Sequence, residues 1–125
     1  MFVNFTNHPY KTWDARQREA AAAFGPVTDL PFPAVDPAAD EAEILRLADD
    51  YEAKIAAMAP RAVLCQGEFT LCYELIGRLI AREIPVLAAC AQRVASEGLD
   101  ANGRWTKQAI FEFVRFRCYK GDVNG

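Results

Sequence analysis

The chain has 125 residues, of which 52% are hydrophobic, and its formal net charge is -3. These values fit one folded domain with a modest core and exclude a disordered chain. The slightly acidic balance also excludes a global basic field that would recruit long nucleic acid. The first residues lack the basic flank and apolar stretch of a signal peptide, and no apolar run is long enough to cross a membrane. We therefore expect a cytoplasmic protein without a membrane partner.

The four cysteines lie inside apolar patterns and form no Cys-x-x-Cys pair; they are Cys65, Cys72, Cys90 and Cys118. This arrangement is typical of reduced core thiols and differs from that of a zinc site. The single histidine and the scattered carboxylates form no recognisable metal motif, and no glycine-rich nucleotide fingerprint is present. We therefore expect no metal and no cofactor.

The predicted elements alternate between strands and helices. Residues 1–6 are β-prone and predict a first strand, which ends in the polar cluster Thr6-Asn7-His8-Pro9. A first helix follows, for which Thr12 is the predicted cap and Gly25-Pro26 the end. Residues 27–30 predict a short second strand.

The next helix and strand give the clearest patterns. Asp40 can cap the second helix, with Glu43 in capping-box spacing, and Pro60 closes it. The apolar run Ala62-Val63-Leu64-Cys65 then predicts a buried strand, which passes through Gln66-Gly67-Glu68 into a third helix. A polar triplet therefore lies where a core strand ends and a helix begins.

The last part of the chain predicts a hairpin. Residues 84–90 form a fourth predicted strand, with Gln92 and Arg93 at its far end. The segment Asp100-Ala101-Asn102-Gly103 is a strong turn signal, and residues 105–119 predict a long strand that returns antiparallel to the fourth. This strand is aromatic on both faces, so we expect both to be covered or one to meet a partner. Simple alternation places four of its residues on one face: Phe111, Phe113, Arg115 and Arg117.

The order of these elements predicts a three-layer, Rossmann-like α/β domain over residues 1–120, followed by a flexible tail over residues 121–125. We expect a mostly parallel sheet with right-handed crossovers, in the strand order 2-1-3-4-5, ending in an antiparallel hairpin. Ligands bind such sheets at the carboxyl ends of the strands, where the strand order reverses. This topology brings Asn7 and His8 beside the triplet Gln66-Gly67-Glu68.

Three residues are candidates for catalysis. His8 can shuttle a proton near neutral pH, or it can be a loop residue that bonds a turn carbonyl. Glu68 can act as a general base, can pair with an arginine or a sugar hydroxyl, or can cap the third helix. Arg93 can bind a phosphate, or it can pair with Glu97 on the surface. Cys65 is a poor candidate for a nucleophile because it belongs to the apolar strand.

Other residues at the same edge are candidates for ligand binding. Gly67 allows a close approach of the backbone, and the amide of Gln66 can read a base edge. The set is completed by polar residues that the topology places nearby: Asn7, Thr70, Tyr73 and Gln92.

Three stretches of the chain resemble small CRISPR-associated CARF-like proteins of type III systems, which include stand-alone ring nucleases. The shared features are a polar cluster after strand one, a Gln-Gly-[Asp/Glu]-Phe-x-x-x-Tyr motif after strand three and an arginine after strand four. They correspond here to Asn4-Phe5-Thr6-Asn7-His8-Pro9, Gln66-Gly67-Glu68-Phe69 with Tyr73, and Ala89-Cys90-Ala91-Gln92-Arg93.

The resemblance implies a homodimer that binds a cyclic oligoadenylate across its two-fold axis and cleaves it without a metal ion. The resemblance further implies that His8 transfers the proton, that Arg93 holds the phosphate, and that Gln66 with the Gly67 amide orients the ring. Glu68 or Thr70 holds a ribose hydroxyl.

Three other functions remain open at this stage. The chain can be a sensor that binds the messenger without cutting it. It can be a small nucleoside-processing hydrolase or transferase with Glu68 as nucleophile. It can also be a partner-binding subunit whose aromatic last strand forms the interface.

Overall fold

The computed structural model describes residues 1–120. Five strands form one sheet in the order β2-β1-β3-β4-β5, in which the first four strands are parallel and β5 is antiparallel to β4. The predicted strand order and terminal hairpin are thereby confirmed, while the predicted tail lies outside the described residues. The strands are β1 (Phe2–Phe5), β2 (Val27–Asp29), β3 (Ala62–Cys65), β4 (Val86–Leu99) and β5 (Trp105–Cys118), and the helices are α1 (Ala15–Ala22), α2 (Glu41–Met58) and α3 (Phe69–Ala81).

The sheet separates two hydrophobic clusters, which makes the domain three-layered. Successive strand residues point to opposite faces. Val3 and Val63 therefore face the cluster formed with α2 and α3, whereas Phe2 and Leu64 face the cluster formed with α1. Among the described residues, no helix is long and apolar enough to cross a bilayer.

The helix caps were predicted correctly for α2 and wrongly for α1. The Asp40 carboxylate accepts the N–H of Glu43, as the capping-box spacing indicated. Helix α1 begins later than predicted, because Asp14 provides its cap. Thr12 instead closes a short 3-10 turn, where its hydroxyl donates to the carbonyl of Pro9 at 2.7 Å.

Strand β4 is much longer than the predicted segment 84–90. It continues to Leu99 and pairs with β5 along that length, so Gln92 and Arg93 lie inside the ladder, opposite Glu112 and Phe111. The extension was missed because its residues are small or polar and form no apolar run. The turn after Leu99 closes the hairpin as predicted, with Gly103 at a φ of 77°.

One extra residue in β5 overturns the prediction that its arginines share a face with Phe113. The pairing shifts between Cys90 and Ala91, which leaves Val114 as the additional residue of a β-bulge. A bulge of this kind reverses the alternation of side chains. Phe113 therefore contacts the ring of Phe116 at a centroid distance of 4.9 Å. Arg115 and Arg117, the neighbours of Phe116, lie on the opposite face.

Beyond the bulge, β4 and β5 form a two-stranded ribbon that pairs with no other described strand. We call this ribbon, Ala91 to Leu99 with Trp105 to Phe113, the arm. Nine residues per strand give it a length of about 30 Å at ~3.3 Å per residue. Most of its side chains are exposed.

Candidate functional site

A cavity of about 950 Å³ runs along α3 from the carboxyl edge of the sheet. We call it the α3 cavity. Phe69 and Tyr73, in the first turns of α3, are 89% and 83% exposed at its wall. The other lining residues come from the β3–α3 turn, from α3 and from the end of β5: Gln66, Gly67, Cys72, Glu74, Ile76, Gly77, Arg78, Ile80, Ala81 and Tyr119. Arg78 forms salt bridges with Asp49, Glu52 and Glu74.

Tyr119 links the two sides of the cavity. Its N–H continues the ladder to Val86, and its hydroxyl crosses β4 to donate to the carbonyl of Cys65 at 2.8 Å. Burial, together with the neighbouring thiols, raises the pKa of Tyr119 to about 12. The phenol is therefore neutral at physiological pH and serves as a wall of the cavity. Nothing in the sequence indicated this bond, because Tyr119 and Cys65 are 54 residues apart.

Two arginines lie on the same face of the sheet as this tyrosine. Arg117 pairs with Ala88 and Arg115 with Cys90, two and four residues before Tyr119 along β5. Both are exposed, and neither takes part in a salt bridge among residues 1–120. Their charges are therefore not neutralised by a carboxylate within the described residues, and Arg115 Nε donates to the carbonyl of Phe116 at 3.0 Å. Sequence reasoning missed them because the bulge that orients them depends on pairing.

Gln66 and Gly67 both have structural roles at the cavity mouth. The Gln66 side-chain oxygen accepts the N–H of Ala89 at 2.7 Å, which joins the end of β3 to β4. A Cβ on Gly67 would lie 2.6 Å from ring carbons of Phe32. Non-bonded carbon atoms do not approach one another this closely, so packing alone favours glycine at this position.

Glu68 caps α3, which confirms the cap among its predicted roles. Its carboxylate accepts the N–H groups of Thr70 and Leu71, each at 2.9 Å, and the hydroxyl of Thr70. The Thr70 hydroxyl and the Leu71 N–H hold the pKa of Glu68 below its usual range. The carboxylate thus occupies the amides that would otherwise attract an anion to this helix terminus.

Asn7 and His8 are exposed at the same edge but do not line the α3 cavity. The main chain of their loop is held on the α1 side, because the Asn4 amide and the Trp13 indole N–H donate to the His8 carbonyl at 2.8 and 2.9 Å. Thr6 accepts the N–H of His8 at 3.0 Å. The polar cluster therefore fixes the loop and leaves the His8 imidazole at the surface.

Gln92 and Arg93 are not at the carboxyl edge, which corrects the position predicted for the phosphate-binding arginine. Arg93 lies four residues beyond Ala89, or about 13 Å further along the strand. Gln92 contacts Glu112 across the ladder at 3.4 Å. Both residues belong to the arm because β4 continues where the sequence indicated an end.

Cys65 and Cys72 form a thiol pair behind the cavity wall, with their sulfur atoms 3.8 Å apart. The hydrogen bond to Cys72 and burial together raise the pKa of Cys65. Burial and the bond to Cys72 thus disfavour the thiolate form that a nucleophilic Cys65 would need.

The three layers, the parallel β2-β1-β3-β4 order and the cavity at the carboxyl edge define a Rossmann-like α/β domain. The chain belongs to the family described as Uncharacterized protein MJ1673 family, which matches residues 1–117. This match includes every strand and helix except the last residue of β5. No curated protein matches the chain.

Proposed function

We propose that the protein binds a cyclic oligoadenylate in the α3 cavity and opens the ring without a metal ion. One observation carries the proposal: exposed aromatic rings on α3 line the cavity, and on the same side of the sheet β5 carries two arginines that form no salt bridge within residues 1–120. Aromatic and cationic groups together are the usual means of holding a short single-stranded nucleotide. With the resemblance to small CRISPR-associated proteins, this chemistry suggests a messenger of type III defence in the cytoplasm.

The aromatic side of the cavity suits adenine. Phe69 and Tyr73 are four residues apart on α3, so their side chains are neighbours on one helix face. Nearly all of each side chain is exposed, although burial would normally favour rings of this size. A base stacked on such a ring gains about 1–3 kcal/mol. A volume of about 950 Å³ is at the upper end for a small-molecule site and leaves room for more than one nucleoside.

The phosphate groups require the arginines. A helix N-terminus is a common anion site, but Glu68 fills the α3 terminus with its own carboxylate. Arg115 and Arg117 lie on the cavity side of the sheet and form no salt bridge within residues 1–120, and a guanidinium can hold two phosphate oxygens at once. We therefore assign phosphate binding to these two residues in place of Arg93.

Ring opening depends more on the alignment of the reacting atoms than on catalytic side chains. A ribose 2′-hydroxyl attacks the adjacent phosphorus, the new P–O2′ bond forms, and the P–O5′ bond breaks to leave a 2′,3′-cyclic phosphate. The 2′-hydroxyl proton leaves through a base, and a proton reaches the departing 5′-oxygen. Holding the reacting atoms in line and neutralising the developing charge can supply most of the acceleration. His8 lies on the α1 side of the carboxyl edge, so it is the proposed proton carrier for a ring that extends from the α3 cavity over that edge.

A sensor that binds the ring without opening it is the second candidate. It is favoured because the polar side chains near the cavity already form hydrogen bonds within the protein: Gln66 bonds Ala89, and Glu68 bonds Thr70 and Leu71. A general base works best with a pKa near the working pH, and that of Glu68 is lowered instead. A nucleoside hydrolase with Glu68 as nucleophile is disfavoured because both carboxylate oxygens already accept hydrogen bonds from Thr70 and Leu71.

The test is binding and cleavage of cyclic tetra- and hexa-adenylate with a chelator present. We expect Phe69→Ala and Arg117→Ala each to weaken binding by about tenfold or more, as stacking and charge-assisted contacts imply. Arg46→Ala removes an exposed arginine from α2 and is the matched control, with unchanged binding expected.

The cleavage products then separate the two candidates. Linear products that disappear in His8→Ala, with binding kept, support the nuclease. Binding without linear products supports the sensor. If the wild-type protein binds neither ring, or if Phe69→Ala binds as tightly as wild type, the proposal is wrong.

A further inference from the structure

We propose that one face of the arm is a self-complementary interface, through which two copies of this chain pack arm against arm in an antiparallel dimer. The interface does not depend on the ligand or on the α3 cavity. It follows from the composition of the face, from the symmetry of that composition along the strands, and from the position of α1.

One face of the arm is largely apolar, and beyond Phe113, which is buried against Phe116, nothing within residues 1–120 packs on it. Leu99, Trp105 and Phe111 on this face are 64%, 76% and 71% exposed. An isolated two-stranded ribbon is marginally stable in water, and this one leaves aromatic rings uncovered as well. We define the arm face by its cross-strand pairs: Ala91–Phe113, Arg93–Phe111, Ala95–Ala109, Glu97–Lys107 and Leu99–Trp105.

The charges of the arm face point to a second copy as the occupant. The small pair Ala95–Ala109 is the centre, and Arg93 and Glu97 lie two residues to either side of it. Two arms stacked antiparallel about this centre, with β4 over β4, place Arg93 of one copy over Glu97 of the other, twice. A face whose opposite charges are symmetric about its middle is complementary to itself, as an isologous interface requires.

The side chains of β5 on the arm face are complementary to themselves in the same way. On β5, Phe111 and Lys107 are symmetric about Ala109, so each aromatic ring meets a lysine of the second copy. An ammonium over a phenyl ring is a favourable contact. The alanines at the centre allow the ribbons to approach to the ~10 Å that separates packed sheets. Lys107 already lies 3.5 Å from Glu97 in its own chain, which extends these contacts into a network.

The position of α1 selects the antiparallel arrangement. The arm face continues the side of the sheet that packs against α1, since Phe113 contacts Phe116 and Phe116 contacts Trp13. Parallel arms would bring the α1 layers of the two copies into the same space. Antiparallel arms place the two domains at opposite ends, where the layers do not meet.

A consequence for the proposed ring site follows, and it alone rests on the proposed function. The tip of each arm, with Trp105, lies over the root of the other arm at the carboxyl edge. The dimer then has two separate α3 cavities, in place of one ring on the two-fold axis. Calorimetric titration with cyclic tetra-adenylate should give two rings per dimer, while one ring per dimer would overturn the antiparallel pairing.

The interface itself is tested by charge reversal, read as molecular mass by sedimentation equilibrium. Wild type should have twice the chain mass of 13.9 kDa. Arg93→Glu and Glu97→Arg should each be monomeric, because each sets like charges opposite one another. An equimolar mixture of the two variants should be dimeric, since both facing pairs are then attractive. Gln108→Glu, on the other face of the arm, is the control and should stay dimeric.

The outcomes are decisive whether or not the cavity binds nucleotides. A monomeric wild type, a dimeric Arg93→Glu variant or a mixture that remains monomeric would each overturn the interface. Circular dichroism of each variant confirms that the hairpin is intact, so a loss of mass can be assigned to the interface. Binding of the ring by a monomeric wild type would leave the proposed function standing without the dimer.

Discussion

Replacing Gly67 by alanine tests how the turn between β3 and α3 is built. The new methyl group would lie 2.6 Å from Cδ2 and Cγ of Phe32 and 2.7 Å from Cδ1. Carbon atoms are at their optimum near 3.5–4.0 Å, so the overlap is about 1 Å. The Phe32 ring is buried and packs on Phe5 at a centroid distance of 4.7 Å, so it has little freedom to move away.

The expected cost is that of overpacking a core, about 1–3 kcal/mol. Gly67 has no positive φ, so backbone strain adds nothing to this value. For a domain of this size the cost corresponds to a fall in melting temperature of about 4–12 °C. Thermal and urea unfolding followed by circular dichroism measure it.

A second substitution identifies the cause. Phe32→Leu removes the ring that the methyl group meets, so the cost of Gly67→Ala should fall by at least half in the double variant. The coupling should be about 0.5–3 kcal/mol, as for residues in contact. An unchanged melting temperature in Gly67→Ala, or strictly additive costs in the double variant, would refute the packing argument.

Gly77→Ala is the matched control. The same substitution in the interior of α3 places a methyl group that meets nothing within 4 Å. Alanine is the better helix former by about 1 kcal/mol, so this variant should unfold at a slightly higher temperature than wild type. We therefore expect Gly67→Ala to lower the melting temperature and Gly77→Ala to raise it.

Three further predictions concern hydrogen bonds. Glu68→Ala should lower the free energy of unfolding by about 1 kcal/mol at neutral pH, because the α3 cap is removed. The folded-state pKa of Glu68 is lowered, so the cap stabilises the fold fully above the unfolded-state pKa. Urea unfolding should therefore show the difference in stability between variant and wild type disappearing as the pH falls through the folded-state pKa. Tyr119→Phe should lose about 1 kcal/mol with its bond to the Cys65 carbonyl. Because burial raises the pKa of Tyr119 to about 12, ultraviolet titration of this variant should lack the phenol that ionises there in wild type. Asn4→Ala should lower stability by about 1–3 kcal/mol in the same unfolding assay, because the buried amide bonds both the His8 carbonyl and Asp29; a wild-type melting curve would contradict it.

Most of the fold was predictable because it follows from local patterns and general connection rules. The apolar run Ala62–Cys65 and the capping pair Asp40 and Glu43 are visible within a few residues. The strand order follows from right-handed crossovers between parallel strands. The cap of α1 was missed because Thr12 and Asp14 are both good capping residues, and the 3-10 turn that decides between them depends on the preceding loop.

The candidate site was less predictable because it depends on pairing partners. The triplet Gln66-Gly67-Glu68 was identified, but Gln66 bonds Ala89 and Gly67 packs close to Phe32, and both partners are distant in the sequence. The extra residue Val114 has no signature of its own, since a bulge exists only relative to the opposite strand. The positions of Arg115 and Arg117 therefore could not be derived before β4 and β5 were paired.

The most direct test of nucleotide binding in the α3 cavity is residue-resolved NMR of the labelled protein during titration with cyclic tetra-adenylate. Amide shifts should concentrate at the β3–α3 turn, in the first turns of α3 up to Tyr73, and at Arg115, Arg117 and Tyr119. Shifts confined to α2 or to the tip of the arm, or a spectrum unchanged at saturating ligand, would contradict it.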